Sequence, residues 1–131
     1  MELIYFIMEK VETSKAPKAV GPYSQAVKSG KYVFCSGQIP LMSDGQMVSG
    51  GIKEQTKQVL ENLKAVLDEA GSNLEKVVKT TVYIVDIADF PVVNEIYSSY
   101  FIAYVKPARA TVQVAALPKG AMVEIDCVAE L

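Results

Sequence analysis

Residues Pro107–Ile125 read PARATVQVAALPKGAMVEI. Two short apolar runs flank a Leu-Pro-Lys-Gly-Ala break, a pattern that predicts two antiparallel strands joined as a hairpin. Pro107 has a fixed φ and stiffens the entry to the first strand. Alternation places Arg109, Thr111 and Gln113 on one face of that strand. In the second strand Val123, Ile125 and Cys127 form an apolar face, and Glu124 and Asp126 take the other. A hairpin lets Arg109 and Glu124 share a face, with the register left open. A guanidinium on a stiff element suits a planar carboxylate, bound through two parallel N–H···O contacts. A solvated surface arginine, or a plain ion pair with Glu124, is the simpler alternative.

Working outward, GIKEQTKQVLENLKAVLDEAG (51–71) has apolar residues at 52, 59, 60, 63, 66, 67 and 70, which predicts a helix with one buried face. Gly71 stands where a C-terminal cap belongs. KVVKTTVYIVDI (76–87) is β-branched and aromatic and reads as a strand. Asp89 then offers a cap to a second helix, with Pro91 near its first turn. Phe90, Val93, Tyr97, Tyr100, Phe101 and Tyr104 give that helix an aromatic face. Near the start, the run from Ser24 to Val27, a Lys-Ser-Gly-Lys turn and YVFCSGQI (32–39) read as a hairpin. The order of strands, helix, strand, helix, two strands means an α+β fold, with both helices on one face of a mixed sheet. YVFCSGQI and VVKTTVYIV lack clean polar alternation, so both sheet faces read as buried, one of them against further copies of the chain; the alternative is cover on both sides by the chain itself.

Composition narrows the chemistry. At 131 residues the chain is a single domain, residues 1–131, and half its residues are apolar. There is no histidine, so Ser-His and Cys-His dyads, HExxH zinc sites and a histidine base are excluded. Cys35 and Cys127 supply two metal ligands at most, against the four of a structural zinc site, so no metal is expected. Set in apolar strands without a histidine, they read as inert buried thiols. No GxxxxGK[ST] or GxGxxG occurs. A net charge of −2 without a basic run gives no general attraction to nucleic acid or anionic membrane. MELIYFIM (1–8) is too short and acidic for a signal peptide. It reads as an N-terminal extension, either an edge strand or an over-long start before Met8. We expect a soluble protein of a reducing compartment, the cytoplasm.

Smaller signals remain. Gly-Pro before Tyr23 fixes a turn and projects a phenol, although packing alone explains many such tyrosines. Ser36-Gly37 inside an apolar strand suggests a bulge or a close backbone approach, whose N–H suits a carboxylate oxygen. Asn94 in the second helix reads first as solvated.

Taken together, APKAVGPYSQAV, SGQIP, QTKQVLENLKAVLDEAG, VVKTTVYIVDIADFPVVNEIY, PAR and LPKGAMVEI resemble the RidA (YjgF-type) family, in order, from about Ala16 to the C-terminus. The resemblance implies a chorismate-mutase-like fold and a homotrimer whose sheets form a central β-barrel, with clefts between subunits. It implies hydrolysis of 2-enamine and 2-imine acids to 2-oxo acids and ammonia, without a cofactor. By the same resemblance Arg109 holds the substrate carboxylate with the Gly37 N–H, and Glu124 handles the water or the departing ammonia. Tyr23 closes the cleft from across an interface. Ser36, Asn94 and the backbone of Ala110 and Thr111 shape it. Thr111 stands where familiar members carry cysteine, and YVKPAR is a shorter connection than in some. Two rivals use the same chain differently: a regulatory module that binds small carboxylates without turnover, and an endoribonuclease or translation inhibitor. The acidic balance argues against the second.

Overall fold

The structure is a computed structural model that describes residues 7–131; the expected extension, residues 1–8, falls largely outside them. Six strands form one sheet: β1 (Glu9–Val11), β2 (Ala26–Ser29), β3 (Tyr32–Gln38), β4 (Val77–Ile84), β5 (Ala108–Gln113) and β6 (Val123–Glu130). Two helices complete the fold, α1 (Ile52–Glu69) and α2 (Phe90–Tyr100). The strand order is β1-β2-β3-β6-β4-β5. Every neighbouring pair is antiparallel except β4 and β5, which run parallel.

That order overturns the C-terminal hairpin. β5 and β6 do not pair, because β4 lies between them and uses both of its edges. The segment β4–α2–β5 is a βαβ crossover, and the chain must then step across β4 to begin β6. Strands lie about 4.8 Å apart, so the link from Val114 to Met122 spans roughly 10 Å rather than turning tightly. It is pinned at both ends. The Val114 N–H donates to Ile84 O at 2.8 Å, the Val85 N–H to Met122 O at 3.2 Å, and the Met122 N–H to Gln55 Oε1 at 2.8 Å. The Leu-Pro-Lys-Gly break makes a short 3₁₀ turn within this link, with Lys119 and Gly120 both at positive φ.

α1 packs across β3 and β6 with the face its periodicity predicts: Val59, Leu60, Leu63, Val66 and Leu67 are fully buried. Buried Asn62 donates from Nδ2 to Leu41 O at 2.8 Å and Ile39 O at 3.2 Å, tying the loop after β3 to the helix. The helix ends in a Schellman motif. Gly71 takes φ +82°, its N–H reaches Asp68 O at 3.0 Å, and the Ser72 N–H reaches Leu67 O at 2.9 Å. A side chain at that φ is strained, so Gly71→Ala is expected to lower unfolding free energy by about 1 kcal/mol, read by chemical denaturation.

α2 starts differently from the expectation. Asp89 sits at its first end without a side-chain cap bond. The capping carboxylate is Asp86, which accepts from the Ala88 N–H at 2.9 Å and starts a 3₁₀ turn, Ile87–Asp89, that runs into the helix. Tyr104 lies beyond the helix and is fully exposed rather than part of its buried face. Among the described residues no helix is long and apolar enough to cross a membrane.

Both helices cover one sheet face. β6 alternates between buried and half-buried residues from Val123 to Ala129 and ends on exposed Glu130. Within one chain the second face is therefore open rather than buried. It carries Tyr32, Phe34 and Val112 at 41, 48 and 42% exposure. These apolar groups, and not internal cover, erase the polar alternation in the sequence.

Candidate active site

Arg109 is the second residue of β5, an edge strand. It stands in register beside Thr80, whose hydroxyl meets Tyr97 of α2, so Arg109 lies on the helix-covered face. Its Nη1 donates to Asn94 Oδ1 at 2.8 Å. Its guanidinium carbon lies 4.8 Å from the Tyr97 ring centroid and 5.4 Å from that of Phe90. Phe90, Asn94 and Tyr97 are four and three residues apart, which puts them on one helix face. Asn94, read first as solvated, is thus a partner of Arg109. One of the five guanidinium N–H donors is used, and the exposed remainder faces outward.

Glu124 belongs to the other face. It pairs in register with Tyr83, which lies three residues along β4 from Thr80 and so points the opposite way. Arg109 and Glu124 therefore do not share a face within the chain, contrary to the hairpin expectation. No ion pair joins Arg109 to an acidic group among the described residues. Burial, with the Asp126 charge beside it, raises the Glu124 pKa above the ordinary carboxylate value. Within the chain Arg109 does not oppose this rise, because it lies on the other face. Asp126 itself accepts from the Tyr83 phenol at 3.1 Å.

Ser36 and Gly37 form the expected bulge: pairing with β6 shifts between Cys35 and Gln38. A Cβ placed on Gly37 would stand 2.5 Å from Glu124 Oε2 and 2.8 Å from its Cδ. The bare backbone at Gly37 is what admits the Glu124 carboxylate. Ser36 Oγ donates to Ser24 O at 2.6 Å, bringing the Tyr23 loop beside the bulge. Tyr23 is 54% exposed, and its hydroxyl accepts weakly from the Val20 N–H at 3.4 Å.

The predicted residues thus divide into two groups. Arg109 and Asn94 gather over α2. Glu124, Gly37, Ser36 and Tyr23 gather at the bulge. Thr111 follows Arg109 on the helix side, and Ala110 faces the open side. Reading by residue type overlooked Thr80, Phe90, Tyr97, Tyr83 and Asp126; the 90/94/97 spacing was the available signal for three residues of the first group. Cys35 and Cys127 face each other in register, buried and free, with the Cys127 thiol pushed well up by its hydrogen bond to Cys35 and by burial. That agrees with inert thiols.

Six strands in this order, a βαβ crossover onto the edge and both helices on one face define a mixed-sheet α+β domain of the Rid type. The chain belongs to that family: the family model described as Endoribonuclease L-PSP, which is the RidA family domain, matches residues 13–131. It is 52% identical over 122 residues to a RutC family protein of Pyrococcus abyssi, covering 92% of this chain and 95% of that protein. It is 52% identical over 124 residues to the human 2-iminobutanoate/2-iminopropanoate deaminase, covering 94% of this chain and 90% of that one. The crystal structure of E. coli TdcF with bound serine superposes with a TM-score of 0.89 at 40% identity, over 94% of this chain and 98% of that one.

Proposed function

We propose that this protein hydrolyses 2-imino acids, with their 2-enamine tautomers, to 2-oxo acids and ammonia. The observation that carries the reading is the pairing of two unlike groups on one sheet: a guanidinium held in place with free donors, and a half-buried carboxyl whose pKa is raised. The first suits the substrate carboxylate. The second, raised above the ordinary carboxylate value, suits taking and returning a proton. The human and other deaminases at about 50% identity support the same chemistry, and the serine in the E. coli relative is a small carboxylate of similar size.

In this reading Arg109 holds the carboxylate, with the Gly37 N–H as a second donor. Glu124 takes a proton from water as it adds to C2 of the protonated imine. Glu124 then gives that proton to the carbinolamine nitrogen, and the C–N bond breaks to release ammonia as the hydroxyl proton passes to the regenerated Glu124 carboxylate, leaving the 2-oxo acid. Uncatalysed hydrolysis is already quick, so positioning plus one acid–base group is sufficient, at about 10²–10⁴-fold. The step needs neither metal nor covalent intermediate.

Because Arg109 and Glu124 lie on opposite faces, one chain does not close the site. The reading therefore places Arg109, Asn94 and the Ala110–Thr111 backbone of one copy against Tyr23, Ser36, Gly37 and Glu124 of the next. The open face with Tyr32, Phe34 and Val112 suits burial against further copies, and the family resemblance gives three around a central barrel. A net charge of −2 favours this small-molecule reading over the ribonuclease in the family's name, since phosphate contacts need Lys and Arg.

The test couples a dehydratase that generates the imine in place to measurement of ammonia and 2-oxo acid. Wild type should accelerate release, and Arg109→Ala, still assembled by light scattering, should lose at least tenfold in kcat/KM. No acceleration by wild type, with 2-oxobutanoate still bound, would leave a carboxylate-binding module instead.

A further inference from the structure

We propose that Tyr97 is the positioning residue of the Arg109 carboxylate anchor, an inference that rests on the reading of Arg109 just given. Arg109 stands on an edge strand and is itself exposed, where an arginine ordinarily samples many rotamers. Here two features of α2 define its plane. Asn94 Oδ1 takes one edge at 2.8 Å, and the Tyr97 ring lies 4.8 Å beneath its face.

The ring is itself immobilised. Tyr97 is 7% exposed, its hydroxyl is 2.8 Å from Thr80 Oγ1, and its ring lies 4.3 Å from that of Phe101, centroid to centroid. Thr80 is the β4 residue in register with Arg109. The support therefore closes on itself, from Arg109 to the Tyr97 ring, through the phenol to Thr80, and across one strand pair back to Arg109. A guanidinium fixed this way presents its free donors in one plane, which is what bidentate carboxylate binding needs. It also loses less freedom when a ligand arrives. Tyr97 acts on the ligand only through Arg109.

The experiment measures the dissociation constant of 2-oxobutanoate by NMR titration, and kcat in the coupled ammonia assay, for wild type, Arg109→Ala, Tyr97→Leu and Tyr97→Phe. Loss of the ring face should weaken 2-oxobutanoate about tenfold in Tyr97→Leu while kcat stays within about threefold, because Glu124 is untouched. Tyr97→Phe keeps the ring and should restore affinity to within about threefold of wild type. A Tyr97→Leu protein that folds and binds as wild type does, or one that loses kcat at unchanged affinity, overturns the inference. If Tyr97→Leu does not fold, Tyr97→Met fills the space without a ring face; a weakening of at least fivefold sustains the inference, and binding within about twofold of wild type overturns it. If Arg109→Ala itself binds normally, the anchor reading fails, whereas weak Arg109→Ala with normal Tyr97→Leu removes Tyr97 alone.

Discussion

Glu124→Gln will cut ammonia release by about 10²–10⁴-fold and leave 2-oxobutanoate binding within about threefold. The amide keeps the shape that fits under Gly37 but can neither take a proton from water nor return one to nitrogen. The same variant carries a pH signature in stability. Burial and the Asp126 charge raise the Glu124 pKa in the folded state, so the folded protein holds this proton more tightly than the unfolded chain. Its contribution is fully present below the ordinary carboxylate pKa and is lost as pH rises through the raised folded value. Glutamine titrates nowhere in that range. The stability of Glu124→Gln relative to wild type should therefore increase from acid toward neutral pH. Denaturation midpoints at several pH values read this, and a mutant-minus-wild-type difference that falls toward neutrality would contradict it. Unchanged turnover would remove Glu124 from the mechanism.

The second large effect is expected at a residue with no side chain. Gly37→Ala places a methyl group 2.5 Å from Glu124 Oε2 and 2.8 Å from Cδ, so the carboxylate must move. The flexible end of a glutamate yields at little cost, and Gly37 is not among the glycines with positive φ, so stability should change by less than about 1 kcal/mol. Turnover is more sensitive. A misplacement of about 1 Å in a catalytic group costs on the order of 10²-fold. If Gly37 acts through Glu124, the double variant with Glu124→Gln will be no slower than Glu124→Gln alone. Multiplied losses would show that Gly37 also acts independently, through its own N–H on the substrate carboxylate.

These expectations rest on different kinds of legibility. The α1 face, the strand at 77–84, the Ser36-Gly37 bulge and the Gly71 cap were readable because each is written within a few residues of itself. Periodicity fixes a face, and a glycine past a helix end fixes a cap. The candidate site residues were named by type and motif, and the contact of Asn94 with Arg109 became visible only beside Phe90 and Tyr97. The hairpin failed for a plain reason. Two adjacent apolar runs separated by a turn look alike whether they pair with each other or with a third strand between them, since alternation records which face a residue takes and not which neighbour it meets.

Sequence pattern alone settles the order of β2 to β6 and the two helices, the α+β class, the core-facing residues of α1 and β6 and the family, because these depend on local pattern and on matching segments in order; the three-residue β1 (Glu9–Val11) is too short to leave such a pattern. Only the tertiary structure decided that β4 separates β5 from β6. That single insertion puts Arg109 beside Thr80 and Tyr97 on the helix face, and Glu124 beside Tyr83 and Gly37 on the open face. The physical reason is that side-chain direction repeats every two residues along a strand, so register with a common neighbour, three residues apart on β4, sends the two functional groups to opposite sides of the sheet.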